Sequence, residues 1–204
     1  MSRTEISFQD TKICLDQDTL GLEITSRWER WRVADSYRPY FCVDGEEIRF
    51  DSAGKKEHFA WKTGVGTGIR SVFTGFSIGG KEDAMSFQTV IWIEYATQDV
   101  FFELTPLQEP EAIVGNFYWP GPMEFTSRRR DWYSLISLMQ GLLIPNDWEY
   151  AVDRVTFDGQ MCSAGSYMPW FGQVRPGASY IAIVCDPWDA GYQVEHPAGS
   201  DYCH

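Results

Sequence analysis

Short alternating apolar runs separated by turn residues constrain this chain more than any other feature. Tyr40-Phe41-Cys42-Val43 and Glu46 to Phe50 flank the dipeptide Asp44-Gly45. That arrangement predicts a two-residue hairpin, because both central residues of a type I′ turn need positive φ. The register that follows pairs Phe41 with Ile48. Similar alternation marks Ile6/Phe8, Ile13/Leu15, Leu20/Leu22/Ile24 and Trp28 to Val33, and further strands are expected at Ala112–Phe117, Tyr133–Leu138, Gly141–Ile144, Tyr180–Cys185 and Tyr192–Glu195. Helical periodicity comes nearest between Tyr133 and Leu143, where Gly141 and Pro145 weaken it. With no repeat, low-complexity tract or clear linker, many strands at short spacing imply one antiparallel all-β sandwich or barrel over the whole chain, and we read it as a sandwich.

A second hairpin carries more information. Ser86 to Ala96 and Asp99 to Leu104 flank Thr97-Gln98. A two-residue loop there would pair Ile93 with Phe102, Ile91 with Leu104 and Tyr95 with Val100, all on one apolar face. The other face would set Trp92 beside Glu103 and Phe101 beside Glu94. In that register Glu94 and Glu103 are diagonal neighbours, roughly 7–8 Å apart, a spacing that overlaps inverting glycosidase carboxylates. Two acids on an open sheet face neither exclude water nor raise one pKa. They read better as solvated groups or as hydrogen-bond partners of a sugar.

Composition narrows the partners. The 9 Trp, 10 Tyr and 13 Phe make up 16% of the chain, which favours strands and supplies broad, rigid contact faces. The net charge of −12 argues against nucleic acid and anionic membrane surfaces as partners. Arg128-Arg129-Arg130 is the single basic cluster, and it reads as a solvated loop. Five scattered cysteines without CxxC spacing indicate neither a disulfide framework nor zinc. The polar N-terminus lacks a signal-peptide apolar stretch and no run is long enough to span a bilayer, so a cytoplasmic location is expected.

No strong catalytic motif or cofactor fingerprint is present, and no metal or cofactor is expected. Gly64-Val65-Gly66-Thr67-Gly68 lacks the Lys-Ser/Thr of a phosphate loop and reads as a flexible turn entering a strand from Ile69. His58, His196 and His204 stand apart from any metal spacing. Better candidates are aromatics fixed beside Pro or Gly, namely Trp119 in Tyr118-Trp119-Pro120-Gly121-Pro122, Trp170 in Met168-Pro169-Trp170-Phe171-Gly172, and Trp188 with Asp189 after Pro187. A ring with little entropy to lose suits stacking on a sugar's apolar face. The same rings would also serve to plug the ends of a sandwich.

These segments, in order, carry a resemblance. Lys62 to Arg70 with Phe73-Thr74-Gly75-Phe76, then Tyr118 to Pro122, Gln140-Gly141-Leu142-Leu143-Ile144-Pro145, Tyr167 to Gly172, Tyr180 to Val184 and Asp189-Ala190-Gly191-Tyr192 resemble the N-terminal domain of bacterial multidomain glycoside hydrolases related to α-N-acetylgalactosaminidases. The resemblance spans roughly Gly64 to Gly199. It implies a galactose-mutarotase-like super-sandwich ahead of a (β/α)₈ barrel that holds the catalytic carboxylates, so that no catalytic residue is expected in this chain. The family continues with more strands after Glu195-His196-Pro197-Ala198-Gly199, whereas this sequence stops at His204, and the last strands of the sandwich are expected to be missing.

Three functions follow. The favoured one is a non-catalytic, carbohydrate-binding or site-shaping N-terminal domain whose partners are a glycan and the downstream barrel, with Trp119, Trp170, Trp188, Asp189, Glu94 and Glu103 as candidate sugar contacts. The others are a stand-alone aldose-1-epimerase-like enzyme using a carboxylate and a His, and a purely structural domain bracing the barrel.

Overall fold

A computed structural model describes residues 2–108, 114–123, 131–138, 141–150, 152–157, 166–186 and 190–196, with side chains for all of these except 152–157, 166–167 and 194–196. The chain divides into two compact units, Met1–Met123 and Glu124–His204. Among the described residues every strand pairing is antiparallel, and the sole helical element is a 3₁₀ turn at Phe50–Ser52. No helix among them is long and apolar enough to cross a membrane. The fold is all-β.

The first unit begins with a four-stranded meander of β1 (Arg3–Phe8), β2 (Thr11–Asp16), β3 (Leu22–Ser26) and β4 (Glu29–Arg32). The hairpin of β5 (Tyr40–Val43) and β6 (Glu46–Arg49) comes next, with Phe41 opposite Ile48 as its turn dipeptide requires. Asp44 and Gly45 adopt φ of 50° and 85°, the left-handed values of a type I′ turn. A second four-stranded meander follows, made of β7 (Lys55–Lys62), β8 (Gly66–Thr74), β9 (Phe87–Glu94) and β10 (Val100–Pro106). Finally β11 (Val114–Tyr118) returns to pair with β5.

Two apolar clusters hold these sheets. Ile13, Leu15 and Leu22 of the first meander pack with Ile69, Ile91 and Ile93 of the second. The other cluster is built from phenylalanines: Phe41, Phe50, Phe73, Phe76 and Phe87 are 0–2% exposed, and Phe117 packs against them. Phe87 lies at the centre, with ring centroids of Phe50, Phe73, Phe117 and Phe76 at 4.7, 5.0, 5.2 and 5.5 Å. Edge-on and offset-stacked contacts of this kind add to the burial of each ring.

The second unit carries a four-stranded sheet in the order β13 (Leu142–Pro145), β12 (Tyr133–Leu138), β15 (Ser166–Arg175), β16 (Ala178–Ile183). The pair β14 (Val152–Phe157) and β17 (Tyr192–His196) completes it. Trp132, Ile136, Ile144 and Tyr192 form its buried cluster, and the Arg175 guanidinium sits 5.1 Å from the Trp132 ring, a cation–π contact.

The second hairpin departs from the sequence expectation. β9 and β10 pair Ile93 with Val100, Ile91 with Phe102 and Trp92 with Phe101. Four residues, Tyr95 to Gln98, form the connection. The Glu94 amide donates to the Asp99 carbonyl (2.9 Å), and the Gln98 amide donates to the Glu94 carbonyl (3.0 Å). Gln98 takes the left-handed conformation at φ 64°. The register therefore slips by two, which keeps every strand side chain on its expected face and changes each directly opposite partner, while Trp92 still reaches Glu103 diagonally.

Candidate aromatic face

The outward face of the second meander collects the groups with binding potential. One cross-strand row runs Phe101, Trp92, Gly68, Trp61, and the next runs Glu103, Val90, Arg70, Phe59. Trp92 stacks on Phe101 with centroids 4.6 Å apart and planes at 16°, and Trp61 lies 5.4 Å from Trp92 on its other side. The Trp92 Nε1 donates to Glu103 Oε1 at 2.7 Å, and Arg70 Nε donates to Gln88 Oε1 at 2.7 Å.

Two glycines make room for the row. A Cβ at Gly66 would lie 2.3 Å from the Trp92 ring, and one at Gly68 would lie 2.1 Å from the Ile91 carbonyl oxygen. Gly66 and Gly68 are thus buried strand residues rather than a flexible turn, and their missing side chains let β9 and its indole approach closely. Sequence reasoning placed Trp92 and Phe101 on this face but missed Trp61, Phe59 and Arg70. The clue was there, since a strand with two glycines opposite a Trp is a strand something leans on.

The carboxylates do not form a pair. Glu94 stands opposite Asp99 and Glu103 opposite Val90, which separates the two by four residues, about 13 Å along the ladder. The diagonal arrangement expected from a two-residue loop is corrected by the longer connection. Glu94 turns back on its own loop and accepts from the Thr97 amide at 2.6 Å. That bond holds its pKa below the usual carboxylate value, the opposite of what a general acid needs. Glu103 is exposed and fixed by the Trp92 indole.

The turn-held tryptophans separate. Trp119 is half-buried, precedes a cis Trp119–Pro120 bond, and packs against both apolar clusters of its unit. Gly121 beneath it has φ 116°, and a Cβ there would meet the Tyr37 ring at 2.3 Å. The Tyr37 hydroxyl in turn donates to the Tyr118 carbonyl at 2.9 Å. Trp170 is not in a turn; it lies within β15 opposite Ile183. It shares that sheet with exposed Met168, Ile181 and Ile183. Trp188 and Asp189 fall outside the described residues.

His58 is the described histidine whose side chain is placed. Its Nδ1 meets Ser71 Oγ at 2.8 Å, its ring contacts Phe73 edge-on, and its Nε2 is buried without a well-formed hydrogen bond. Burial first, and then the Lys56 charge, hold its pKa below the ordinary value of 6.5, against the opposing Gln17 backbone and Asp18. Between that lowered pKa and 6.5 the unfolded chain binds more protons than the folded one, so stability rises with pH there. Acidification from about pH 7.5 to 5.5, above the range in which ordinary carboxylates titrate, is therefore expected to lower the urea midpoint. His58→Gln is expected to reduce that slope, and an unchanged slope would mean that another group carries it.

No protein-family model and no curated protein sequence matches this chain. Solved structures do match. The α-N-acetylgalactosaminidase NagBb from Bifidobacterium bifidum, in complex with Gal-NHAc-DNJ, superposes with a TM-score of 0.88 at 35% identity, over 98% of this chain and 32% of that one. Its GalNAc complex gives 0.87 at 35% identity, and its ligand-free form 0.82 at 34%, over the same shares of each chain. The described chain is thus related to a domain of a glycoside hydrolase. It spans about a third of the length of the NagBb structures.

Proposed function

We propose that this chain is a non-catalytic domain of a glycoside hydrolase that faces or shapes a carbohydrate site, with the bond-breaking groups in a separate barrel. The observation that carries the reading is the coverage: 98% of this chain corresponds to 32% of an α-N-acetylgalactosaminidase. The chemistry of the described residues agrees with it. Glu94 and Glu103 are too far apart to flank one glycosidic bond. Two sheets packed through one apolar cluster, as in the first unit, support a sandwich architecture of the super-sandwich kind.

Glu103 and Trp170 are the candidate contacts whose setting suits a ligand, whereas the packing of Trp119 supports a bracing role for that ring. An epimerase reading gains nothing from His58, whose ring faces Ser71 and Phe73. The purified chain is expected to release no product from an aryl α-N-acetylgalactosaminide while giving signal on a neutral glycan array. Turnover that persists after repurification would overturn the non-catalytic assignment. An array with no signal would leave the structural domain as the better account.

A further inference from the structure

We infer that the row Phe101–Trp92–Trp61, with Glu103, Arg70 and Phe59 beside it, is a binding platform for a neutral oligosaccharide. The inference rests on the carbohydrate reading above and adds the place where the sugar sits.

The row crosses the whole four-stranded sheet, from β10 at one edge to β7 at the other, a width of about 14 Å at ordinary strand spacing. Its rings differ in depth. Trp92 is 9% exposed and packed between Phe101 and Trp61, which are half-buried and carry the accessible ring surface of the row, and Phe59 is 47% exposed. Gly68 lies between Trp92 and Trp61 and leaves the strand beneath them without a side chain.

Polar groups alternate with the rings instead of surrounding them. Glu103 gives one carboxylate oxygen to the Trp92 indole and has a second that can accept. Arg70 gives one N–H to Gln88, out of the five a guanidinium carries. A protein core contact would exclude such groups toward its rim. A pyranose asks for both at once, since its C–H face stacks on a ring while its hydroxyls reach acceptors and donors at the side. The chain's charge of −12 selects against acidic glycans, so the ligand is neutral.

The test is calorimetric titration of the whole chain with GalNAc and with a neutral oligosaccharide ending in GalNAc. Trp61→Ala and Phe101→Ala are each expected to weaken oligosaccharide binding at least about tenfold, while Trp28→Ala, at an exposed indole outside the row, leaves it unchanged. Phe59→Ala, at an exposed position, serves as a third variant in case Trp61→Ala or Phe101→Ala lowers the urea midpoint. Tight binding by the parent that survives all three ring variants would overturn this site and leave the carbohydrate reading standing. Absence of binding by the parent would remove both. If the variants instead change self-association in light scattering and leave glycan binding alone, the face is a protein contact and the platform is wrong.

Discussion

Phe87→Ala is expected to destabilise the protein by about 3–5 kcal/mol, the range for removing a large aromatic from a packed core. The ring is 0% exposed and lies within 6 Å of five other phenylalanine rings. Those neighbours come from β5, the 3₁₀ turn, β8, the segment after it, and β11. No single strand can move in to close the space, so the cavity persists and its cost adds to the lost transfer energy. Natural domains carry about 5–15 kcal/mol in total, so one substitution removes a large share. Urea unfolding followed by near-ultraviolet circular dichroism measures this directly. A loss below about 1.5 kcal/mol would mean that the cluster collapses around the gap. Trp28→Ala is the control: that indole is 79% exposed, and its loss is expected to stay within about 0.5 kcal/mol.

Gly68→Ala is the second large effect, for a different reason. The added methyl would lie 2.1 Å from the Ile91 carbonyl oxygen and 2.5 Å from the Trp92 Cα. Both are backbone atoms of a central strand and cannot rotate away. Relief requires β8 and β9 to part, which stretches ladder hydrogen bonds and lifts Trp92 off the sheet. A cost of about 3 kcal/mol or more is expected, at the upper end for overpacking. Gly66→Ala is expected to cost less, because two of its three close contacts are the edge of the Trp92 ring, which can tilt. Gly64→Ala meets nothing within 4 Å and should be nearly neutral. Equal stability of the three variants would show that the close approach of these strands carries no energetic weight.

How much of this was legible depended on whether the deciding contact was local. The β5–β6 hairpin could be read because Asp44-Gly45 carries its own turn geometry. In the β9–β10 hairpin the left-handed residue is Gln98, a residue type that does not announce positive φ, so the loop length was misjudged. Face assignment survived, because a slip of two preserves the alternation of side chains; the spacing of Glu94 and Glu103 did not. Pro169 suggested a turn around Trp170, yet it lies inside β15 next to the irregularity between Ile136 and Leu138 in the partner strand, where a missing N–H is tolerated. The aromatic row was the least legible part. It joins Trp61, Gly68, Trp92 and Phe101 from four strands, and nothing in one strand's sequence states what lies across from it.

The strand order also bears on how the first unit assembles in time. Within its two meanders each strand pairs with the next one along the chain, so those contacts form across short loops and need little search. The β11–β5 pair is the exception, bringing Val114 to Val43 across about 70 residues. Closing such a loop in an unstructured chain costs about 3 kcal/mol more entropy than closing a two-residue turn. Prior formation of the β7–β10 meander removes much of that burden by holding the intervening chain compact. Docking of β11 beside β5, which brings Phe117 onto the phenylalanine cluster, is then expected to follow the meander.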